Sequence, residues 1–511
     1  MTRVPPPEVG ERIARGSGLS LLSGILSRSA GIAQSIVVAR WLEPYRVGVF
    51  AVLSYVLSVA GAFADLGMPA ATMKLIAEYR AGRREALKPL LLTLALAMLA
   101  MACLTGLVLF SASDLLASVY REPSLALLFK LGGLLLFLSL LGGFLSGTLQ
   151  GFQRIDALAV LGPVKAALVL LSTLLLLPAF GLAGLVLASI GAEVIAGLLA
   201  ARPLERAVSP YWSSERVAPS WALLRRAFQL ALPIFLNGLT LWGTPWLVRS
   251  YLARIRGYAD VGLYQVADAF SRILLSIPGA VAVPFVPAVS EFSAVAPVRV
   301  SALAQATLRL TALVTLPVAL FLFLGARPLL VLVYGASYAS AGPLAALLVM
   351  AAFFQAAGVI VWSILVGTGR IWVGFLIQSA GQVLLVASTL VSVPPLGLTG
   401  LGASHIVASG ASLFLGLSYL GARFGVTLRA GRDVVALGVL GWLCAWVLEA
   451  TGNAGLLPAL IVALSLVAWE GLQLKPQERA GLKAFVRQLR PKAVRKPGSP
   501  ALGSGREALG E

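Results

Sequence analysis

Charged residues are scarce in this 511-residue chain: only 12% are Asp, Glu, Lys or Arg, while 59% are hydrophobic. A soluble domain carries about 25% charged residues, so the chain lacks the polar sequence needed to cover several soluble domains. The mean hydropathy is +0.92, and apolar stretches of roughly 20 residues, each long enough to cross a bilayer, recur throughout. Because lipid offers the backbone no hydrogen-bond partners, these stretches must be helices.

Cysteine and histidine are nearly absent, with two cysteines and one histidine in the whole chain. Cys103 and Cys444 both lie in apolar stretches, which is typical of small core residues rather than of a disulfide or metal site. His405 alone cannot build a metal cluster, and the sequence has no G-x-x-x-x-G-K-[ST] phosphate loop and no dinucleotide fingerprint. We therefore expect no cofactor, no metal and no enzymatic activity, although dispersed acid and base residues leave an intramembrane enzyme as an alternative.

Acidic residues are fewer than basic ones, and the formal net charge is +19. The sequence contains no nucleic-acid-binding module, so we attribute the basic residues to cytoplasmic loops and anionic lipid surfaces. With the N-terminus inside, the cytoplasmic segments hold about twenty Lys and Arg residues and the opposite side about seven, Arg249 among them. This asymmetry predicts a multi-pass membrane protein with both termini in the cytoplasm.

The hydrophobic pattern predicts an all-α, polytopic bundle of about fourteen transmembrane helices. We place them at 17–40, 46–70, 89–112, 124–149, 158–178, 182–201, 227–250, 258–289, 301–324, 340–366, 371–391, 398–420, 434–449 and 454–472. The expected organisation is a cytoplasmic segment (1–16), a six-helix bundle (17–201), a cytoplasmic linker (202–226), a second six-helix bundle (227–420), two further helices (421–472) and a basic cytoplasmic tail (473–511).

An internal repeat relates the two predicted bundles. RVGVFAVL (46–53) resembles DVGLYQVA (260–267), and pairing Gly48 with Gly262 gives an offset of 214 residues. FGLAGL (180–185) resembles LGLTGL (396–401), and pairing Gly181 with Gly397 gives an offset of 216 residues. An even number of helices per unit returns the chain to the same side, so the units run in the same sense. Parallel repeats of this kind are a transporter plan with a substrate cleft between the two halves, although a duplication kept only for packing is the alternative.

Ionisable residues inside membrane helices are costly and usually face a cavity or a partner. Asp268 and Arg272 lie four residues apart on one helical face, so pairing with each other is an equally good explanation. Carboxylates that would suit proton or sodium coupling are Asp65, Glu193 and Asp268. Residues that would suit substrate binding in the cavity are Arg28, Gln34, Asn237, Arg249, Tyr264, Gln265 and Arg272.

Arg28 is the most distinctive of these residues, since it lies in mid-helix in LLSGILSRSAGIAQSIVVA. Ser27, Gly31, Gln34 and Ser35 fall roughly along one face with it. This pattern favours a face towards water or a polar substrate, while tight packing of small residues between helices is the rival explanation. A deep arginine can bind a phosphate group through two parallel hydrogen bonds.

Two motifs give the chain a family resemblance. An AR-x-L-x-P-x-x-x-G-x-[FY] stretch spans residues 39–50, and an F-x-D-x-G motif follows at Phe63, Asp65 and Gly67. With PLLVLVYGASYASA (328–341) and LVGTGRIWVG (365–374), these motifs resemble polysaccharide-repeat-unit flippases of the Wzx type. That family is part of the multidrug/oligosaccharidyl-lipid/polysaccharide (MOP) exporter superfamily, and the resemblance extends over roughly residues 15–425.

The resemblance implies two six-helix bundles around a central cavity and two extra helices. It also implies translocation of a polyprenyl-pyrophosphate-linked oligosaccharide by alternating access, across a bacterial or archaeal cytoplasmic membrane. Basic cavity residues would then meet the pyrophosphate and sugars while the lipid tail stays in the bilayer, and polysaccharide polymerases or glycosyltransferases are the partners to expect. A lipid II flippase, a cation-coupled multidrug antiporter and a membrane-embedded glycosyltransferase are the alternatives.

Overall fold

The computed structural model describes residues 7–82, 84–212, 217–295 and 297–425. In these ranges the chain is helical almost throughout and has no strand, which confirms the predicted all-α class. The helices predicted at 434–449 and 454–472 and the basic tail lie outside the described residues.

The described helices fall into two sets that follow one another along the chain. The first set is α1 (Pro7–Trp41), α2 (Pro44–Asp65), α3 (Met68–Gly82), α4 (Leu87–Ser111), α5 (Ser113–Val119), α6 (Ser124–Gly151) and α7 (Ile155–Val208). The second set is α8 (Trp221–Arg256), α9 (Tyr258–Arg272), α10 (Ser276–Val295), α11 (Pro297–Leu324), α12 (Ala326–Tyr334), α13 (Gly342–Gly367) and α14 (Ile371–Phe424). Within the first set α6 packs on α4, α3 and α7, and within the second α13 packs on α9, α10, α11 and α14.

The two longest helices, α7 and α14, are hairpins. Each is 54 residues long, which would extend about 80 Å if straight and so far exceeds a ~30 Å hydrocarbon core. Each reverses at a glycine: Gly181 (φ 55°, ψ −133°) in α7 and Gly397 (φ 59°, ψ −135°) in α14. Residues with a side chain rarely adopt this backbone conformation. These glycines are the pair that the sequence repeat aligns, and the reversals separate the predicted helices 158–178 from 182–201 and 371–391 from 398–420.

Eight described helical segments are long and apolar enough to cross a membrane, or ten if two bent pairs each count as one span. The bends are 41° between Trp221–Leu232 and Ile234–Arg256 and 43° between Tyr258–Ala282 and Phe285–Ser293. Counting the two arms of each hairpin separately then accommodates the twelve helices predicted for residues 17–420.

The two sets meet where α2 crosses α9. An added Cβ at Gly48 would lie 1.8 Å from the carbonyl oxygen of Tyr258, and one at Gly262 would lie 1.8 Å from that of Pro44. Pro44 and Tyr258 are themselves related by the 214-residue offset, so a pseudo-two-fold axis passes between the glycines. Only glycine allows the two backbones to approach this closely, and this contact ties the two repeats together.

Further hydrogen bonds join the two sets at the end of the molecule where α2 begins. The guanidinium of Arg40 donates from Nε to the carbonyl oxygen of Val333 at 2.8 Å, and the Tyr338 hydroxyl donates to the carbonyl oxygen of Leu42 at 3.0 Å. The Tyr258 hydroxyl likewise donates to the carbonyl oxygen of Tyr120 at 2.7 Å. The molecule is therefore closed between the repeats at this end.

A carboxylate between α5 and α6 also takes part in this closed end. Glu122 accepts hydrogen bonds from Tyr45 and from Ser124. Partial burial raises the pKa of Glu122, but the hydrogen bonds from the Ser124 and Tyr45 side chains and from the Ser124 backbone outweigh it, so the pKa lies below its ordinary value. The side chain is therefore a charged acceptor at neutral pH.

Candidate functional site

Arg249 lies at the centre of a charged network between α8 and α9. Its side chain is fully buried. It donates from Nη2 to Asp268 at 2.8 Å, from Nε to Gln265 at 3.0 Å and from Nη1 to the carbonyl oxygen of Pro245 at 3.4 Å. α8 continues past Arg249 to Arg256, and packing against α9 encloses the Arg249 side chain, so this residue lies within a helix and not at its end.

Two tyrosine rings hold the Arg249 guanidinium from opposite repeats. Its central carbon lies 4.0 Å from the ring centre of Tyr55 on α2 and 4.4 Å from that of Tyr264 on α9. A desolvated cation–π contact of this kind contributes up to about 2 kcal/mol. The Tyr264 hydroxyl in turn shares a 2.9 Å hydrogen bond with Nε2 of His405 on α14. The network therefore joins both repeats through one buried cation.

Asp268 is shared by two arginines. Besides Arg249, it accepts a hydrogen bond from Nε of Arg272 at 3.1 Å, as its position four residues earlier on the same helix had suggested. The Arg272 side chain is 58% exposed, and among the described residues its terminal nitrogens have no partner. Two guanidinium groups and one carboxylate leave the cluster with a net charge of +1.

A cavity of about 380 Å³ adjoins this network inside the second repeat. It lies between α8, α9, α13 and the two arms of α14, and Tyr264, Asp268, Arg272 and His405 form part of its wall. The volume falls within the ~300–1,000 Å³ of typical small-molecule sites. The structure thus brings Arg249, Tyr264, Gln265, Asp268 and Arg272, which the sequence singled out separately, to one site.

Glu193, a predicted coupling carboxylate, is paired in the first repeat. It accepts hydrogen bonds at 2.6 Å from Lys165 and at 2.8 Å from Ser139, and only 9% of its side chain is exposed. Lys165 and Glu193 lie on the two arms of the α7 hairpin, so their ion pair also fastens the arms together. Removing either charge would leave the other in an apolar setting.

Asp65, another predicted coupling carboxylate, ends a helix. Its Oδ1 accepts the backbone N–H of Gly67 at 2.7 Å, where Leu66 and Gly67 adopt positive φ angles of 46° and 78°. The prediction of one unbroken helix over 46–70 was wrong, because α2 ends at Asp65 and α3 begins at Met68. The F-x-D-x-G motif therefore forms a helix break, and Phe63 packs edge-on against Phe235 of α8.

The remaining substrate-binding candidates lie away from the network. Arg28 is exposed on α1 and has no hydrogen-bond or ion-pair partner among the described residues. Gln34 donates from its amide to the Thr173 hydroxyl of α7 at 3.3 Å, so at this position the polar face of α1 packs on a neighbouring helix. Asn237 belongs to α8, but its side chain is not among those that the structure describes.

The two repeats carry different types of side chain at the positions of the charged network. By the 214-residue offset, Tyr264, Asp268 and Arg272 correspond to Phe50, Ser54 and Ser58. The first-repeat residues Phe50, Ser54 and Ser58 line a cavity of about 680 Å³ beside α6 and α8. The two cavities thus share a position in the fold, but this cluster of charges belongs to the second repeat alone.

Sequence reasoning missed several residues of the second-repeat site. Tyr55 and His405 take part in the network, and Gln378 and Gln382 line the cavity. Two glutamines four residues apart in an apolar span were a usable signal, because polar side chains in membrane helices usually face a cavity. Tyr55 carried no comparable signal, since its contact with Arg249 depends on how the two repeats pack.

Comparisons with known proteins agree with this architecture. The model of the polysaccharide biosynthesis protein family matches residues 13–293, more than half of the chain. The chain resembles the inward-closed structure of the lipid II flippase MurJ with a TM-score of 0.68 at 12% identity, over 92% of this chain and 98% of that one. No curated protein matches the sequence.

Two further solved structures share the fold. An inward-facing multidrug resistance MATE family transporter of the MOP superfamily gives a TM-score of 0.64 at 16% identity, over 78% of this chain and 95% of that one. A MOP superfamily transporter from Pyrococcus furiosus, described as having a binding pocket of reverse polarity, gives 0.57 at 15% identity, over 83% and 96%. The predicted resemblance is confirmed: the chain belongs to the polysaccharide biosynthesis protein family and has the fold of MOP superfamily transporters.

Proposed function

We propose that this protein is a flippase that moves a polyprenyl-pyrophosphate-linked oligosaccharide across the cytoplasmic membrane by alternating access. The family membership supports a role in polysaccharide biosynthesis. The multi-pass fold of a MOP superfamily transporter supports translocation rather than catalysis.

The observation that carries the proposal is spare positive charge inside the membrane-spanning part. Arg28 is exposed in mid-helix, and the terminal nitrogens of Arg272 lie beside a cavity and bond no residue in the described ranges. Glu193 and Asp268 are each paired with cations, so neither presents free negative charge. A lipid pyrophosphate is an anion that would meet such arginines with short, charge-assisted hydrogen bonds.

A cation-coupled multidrug antiporter would need free negative charge, rather than free positive charge, in its cavity. Expelling a cationic compound calls for a carboxylate that is free to exchange a proton or an ion, and Asp65 already accepts a backbone hydrogen bond. The Pyrococcus furiosus transporter is a structural neighbour whose reverse-polarity binding pocket is taken to suggest a different function. Charge balance therefore favours an anionic substrate here.

Closure at one end supports alternating access. The Gly48–Gly262 crossing and the Arg40 contact fasten the repeats where α2 begins. With the N-terminus in the cytoplasm, as the distribution of basic residues predicts, that end faces outward. A substrate would then enter from the cytoplasmic side and leave after this crossing opens.

The test is flipping of a fluorescent polyprenyl-pyrophosphate oligosaccharide in proteoliposomes. We expect wild type to translocate the lipid, Arg28→Ala to reduce the rate at least about tenfold, and Arg28→Lys to retain part of it, because a charge-assisted hydrogen bond contributes about 1.5–3 kcal/mol. Arg327→Ala, which removes an exposed arginine at the start of α12, is the matched control and should transport normally.

Other outcomes would identify a different function. A wild-type protein that moves no lipid-linked sugar but exchanges a cationic dye for protons would be an antiporter. A protein that moves lipid II in preference to other lipid-linked glycans would be a peptidoglycan-precursor flippase. Lipid flipping that is insensitive to Arg28→Ala would leave the flippase in place and remove Arg28 from the substrate path.

A further inference from the structure

The cavity in the second repeat is lined by uncharged polar and aromatic side chains in addition to the charged network. Its wall includes Gln355 and Trp362 of α13 and Gln378 and Gln382 of α14. Each glutamine amide offers two N–H donors and one carbonyl acceptor, and the indole adds an apolar face. A few convergent polar groups in a mainly apolar pocket are typical of a small-molecule site.

Two of these amides have no partner among the residues that the structure describes. Gln355 donates to the Ser409 hydroxyl at 3.1 Å, whereas Gln378 and Gln382 make no hydrogen bond to any described residue. They are one helical turn apart on α14 and are only partly exposed. Partly buried amides that lack protein partners need water or a polar ligand to complete their hydrogen bonds.

The cavity is also electropositive at one wall. Asp268 is shared by two arginines, so the free side of the Arg272 guanidinium is available to an anionic group. The cavity therefore combines one anion-binding arginine with several groups that suit hydroxyl or amide substituents.

Comparison of the two repeats indicates that the glutamine side chains are not needed for helix packing. By the 216-residue offset, Gln378 and Gln382 correspond to Gly162 and Ala166 in the first repeat. The same fold position is thus occupied by two small residues in one repeat and by two amides in the other. Because the helices of the first repeat pack without amides at this position, the amides of the second repeat indicate a ligand.

We propose that this cavity is a glycan subsite: it binds a sugar ring that carries or adjoins an anionic group, with Arg272 on the anion and Gln378 and Gln382 on the sugar hydroxyl or acetamido groups. The inference rests on the proposed flippase function and specifies which part of the head group the second repeat recognises. The anion is either a carboxylate of an acidic sugar or the pyrophosphate that adjoins the first sugar.

The experiment measures binding of three soluble short-chain prenyl pyrophosphates to the full-length protein in nanodiscs. The first has no sugar, the second has a neutral disaccharide, and the third has a disaccharide containing a uronic acid. For wild type we expect the glycan-bearing probes to bind about tenfold or more tightly than the sugar-free one, because each added hydrogen bond contributes a few-fold in affinity.

Two sets of variants locate the effect. Gln378→Leu combined with Gln382→Leu should abolish the advantage of the glycan-bearing probes and leave the sugar-free probe unaffected. Gln305→Leu is the matched control, since Gln305 bonds Ser301 on α11 and lies outside the cavity wall. It should keep the full advantage.

A second variant tests the same cavity without replacing the glutamines by leucine. Gly358 lines the cavity, and a Cβ there would meet nothing within 4 Å. Gly358→Leu should therefore fill the cavity without displacing backbone and should also abolish the glycan advantage. Gly410→Leu adds the same bulk at an equally open position of α14 outside the cavity wall, and it should have no effect.

Arg272→Gln distinguishes the two sources of the anion. If the arginine binds an acidic sugar, only the preference for the uronic-acid probe over the neutral one should disappear. If it binds the pyrophosphate, all three probes should weaken by a similar factor.

The outcomes separate this inference from the proposed function. Equal binding of all three probes by wild type, or a glycan advantage that survives both the double glutamine variant and Gly358→Leu, would overturn the glycan subsite while leaving a lipid pyrophosphate flippase intact. Failure of wild type to bind any of the probes would overturn the proposed function itself.

Discussion

Substituting Gly48 by alanine should force the two repeats apart where α2 crosses α9. The new Cβ would lie 1.8 Å from the Tyr258 carbonyl oxygen, whereas ordinary van der Waals contact begins at 3.4 Å, so the backbones must separate by about 1.6 Å. The obstacle is a backbone atom and cannot rotate away. Overpacking of this kind costs about 1–3 kcal/mol, and the cost applies only to conformations in which the crossing is closed.

The expected consequence is a shift in conformational population. A cost of about 1–3 kcal/mol lowers the closed population by about 5- to 150-fold relative to open states. Gly262→Ala meets the Pro44 carbonyl oxygen at the same 1.8 Å and should have a matching effect, since the two positions are related by the pseudo-two-fold axis.

The assay is a distance measurement between spin labels at Leu115 on α5 and Leu332 on α12, which are both well exposed. In a background without the native cysteines, Gly48→Ala should broaden the distribution towards longer distances. Gly191→Ala is the control, because a Cβ there meets nothing within 4 Å. Distances unchanged by both Gly48→Ala and Gly262→Ala would refute the closed crossing as the contact that holds the repeats together.

Three further predictions concern stability, measured as the free energy of unfolding in the same detergent. Arg249→Gln should cost about 1.5–3 kcal/mol, because it removes one of the two cations that bond the buried Asp268 carboxylate; a loss below about 1 kcal/mol would contradict the burial of the network. Gly181→Ala and Gly397→Ala should each cost about 1–3 kcal/mol through backbone strain, and clearly unequal losses would argue against equivalent hairpins. Lys165→Met should destabilise by leaving a carboxylate unpaired, and adding Glu193→Gln should recover most of the loss; without that recovery, Lys165 acts through contacts other than the ion pair.

The sequence alone determined the features that depend on local pattern. Long apolar stretches require helices in lipid, and the repeat aligned Gly181 with Gly397, which the structure shows in nearly the same backbone conformation. The spacing of Asp268 and Arg272 likewise indicated an ion pair, because residues four apart share a helical face. Such features need only the chain's own periodicity.

Tertiary structure decided how distant helices meet. Arg40 bonds a carbonyl 293 residues away, and Tyr55 stacks on Arg249 because α2 packs against α8 and α9. Gln378 and Gln382 line one cavity with Arg272 only because the α14 hairpin folds against α13 and α8. A helical pattern indicates which residues share a face but not which helix packs against that face. Whether a substrate-binding candidate lines a cavity or is buried between helices depends on that packing.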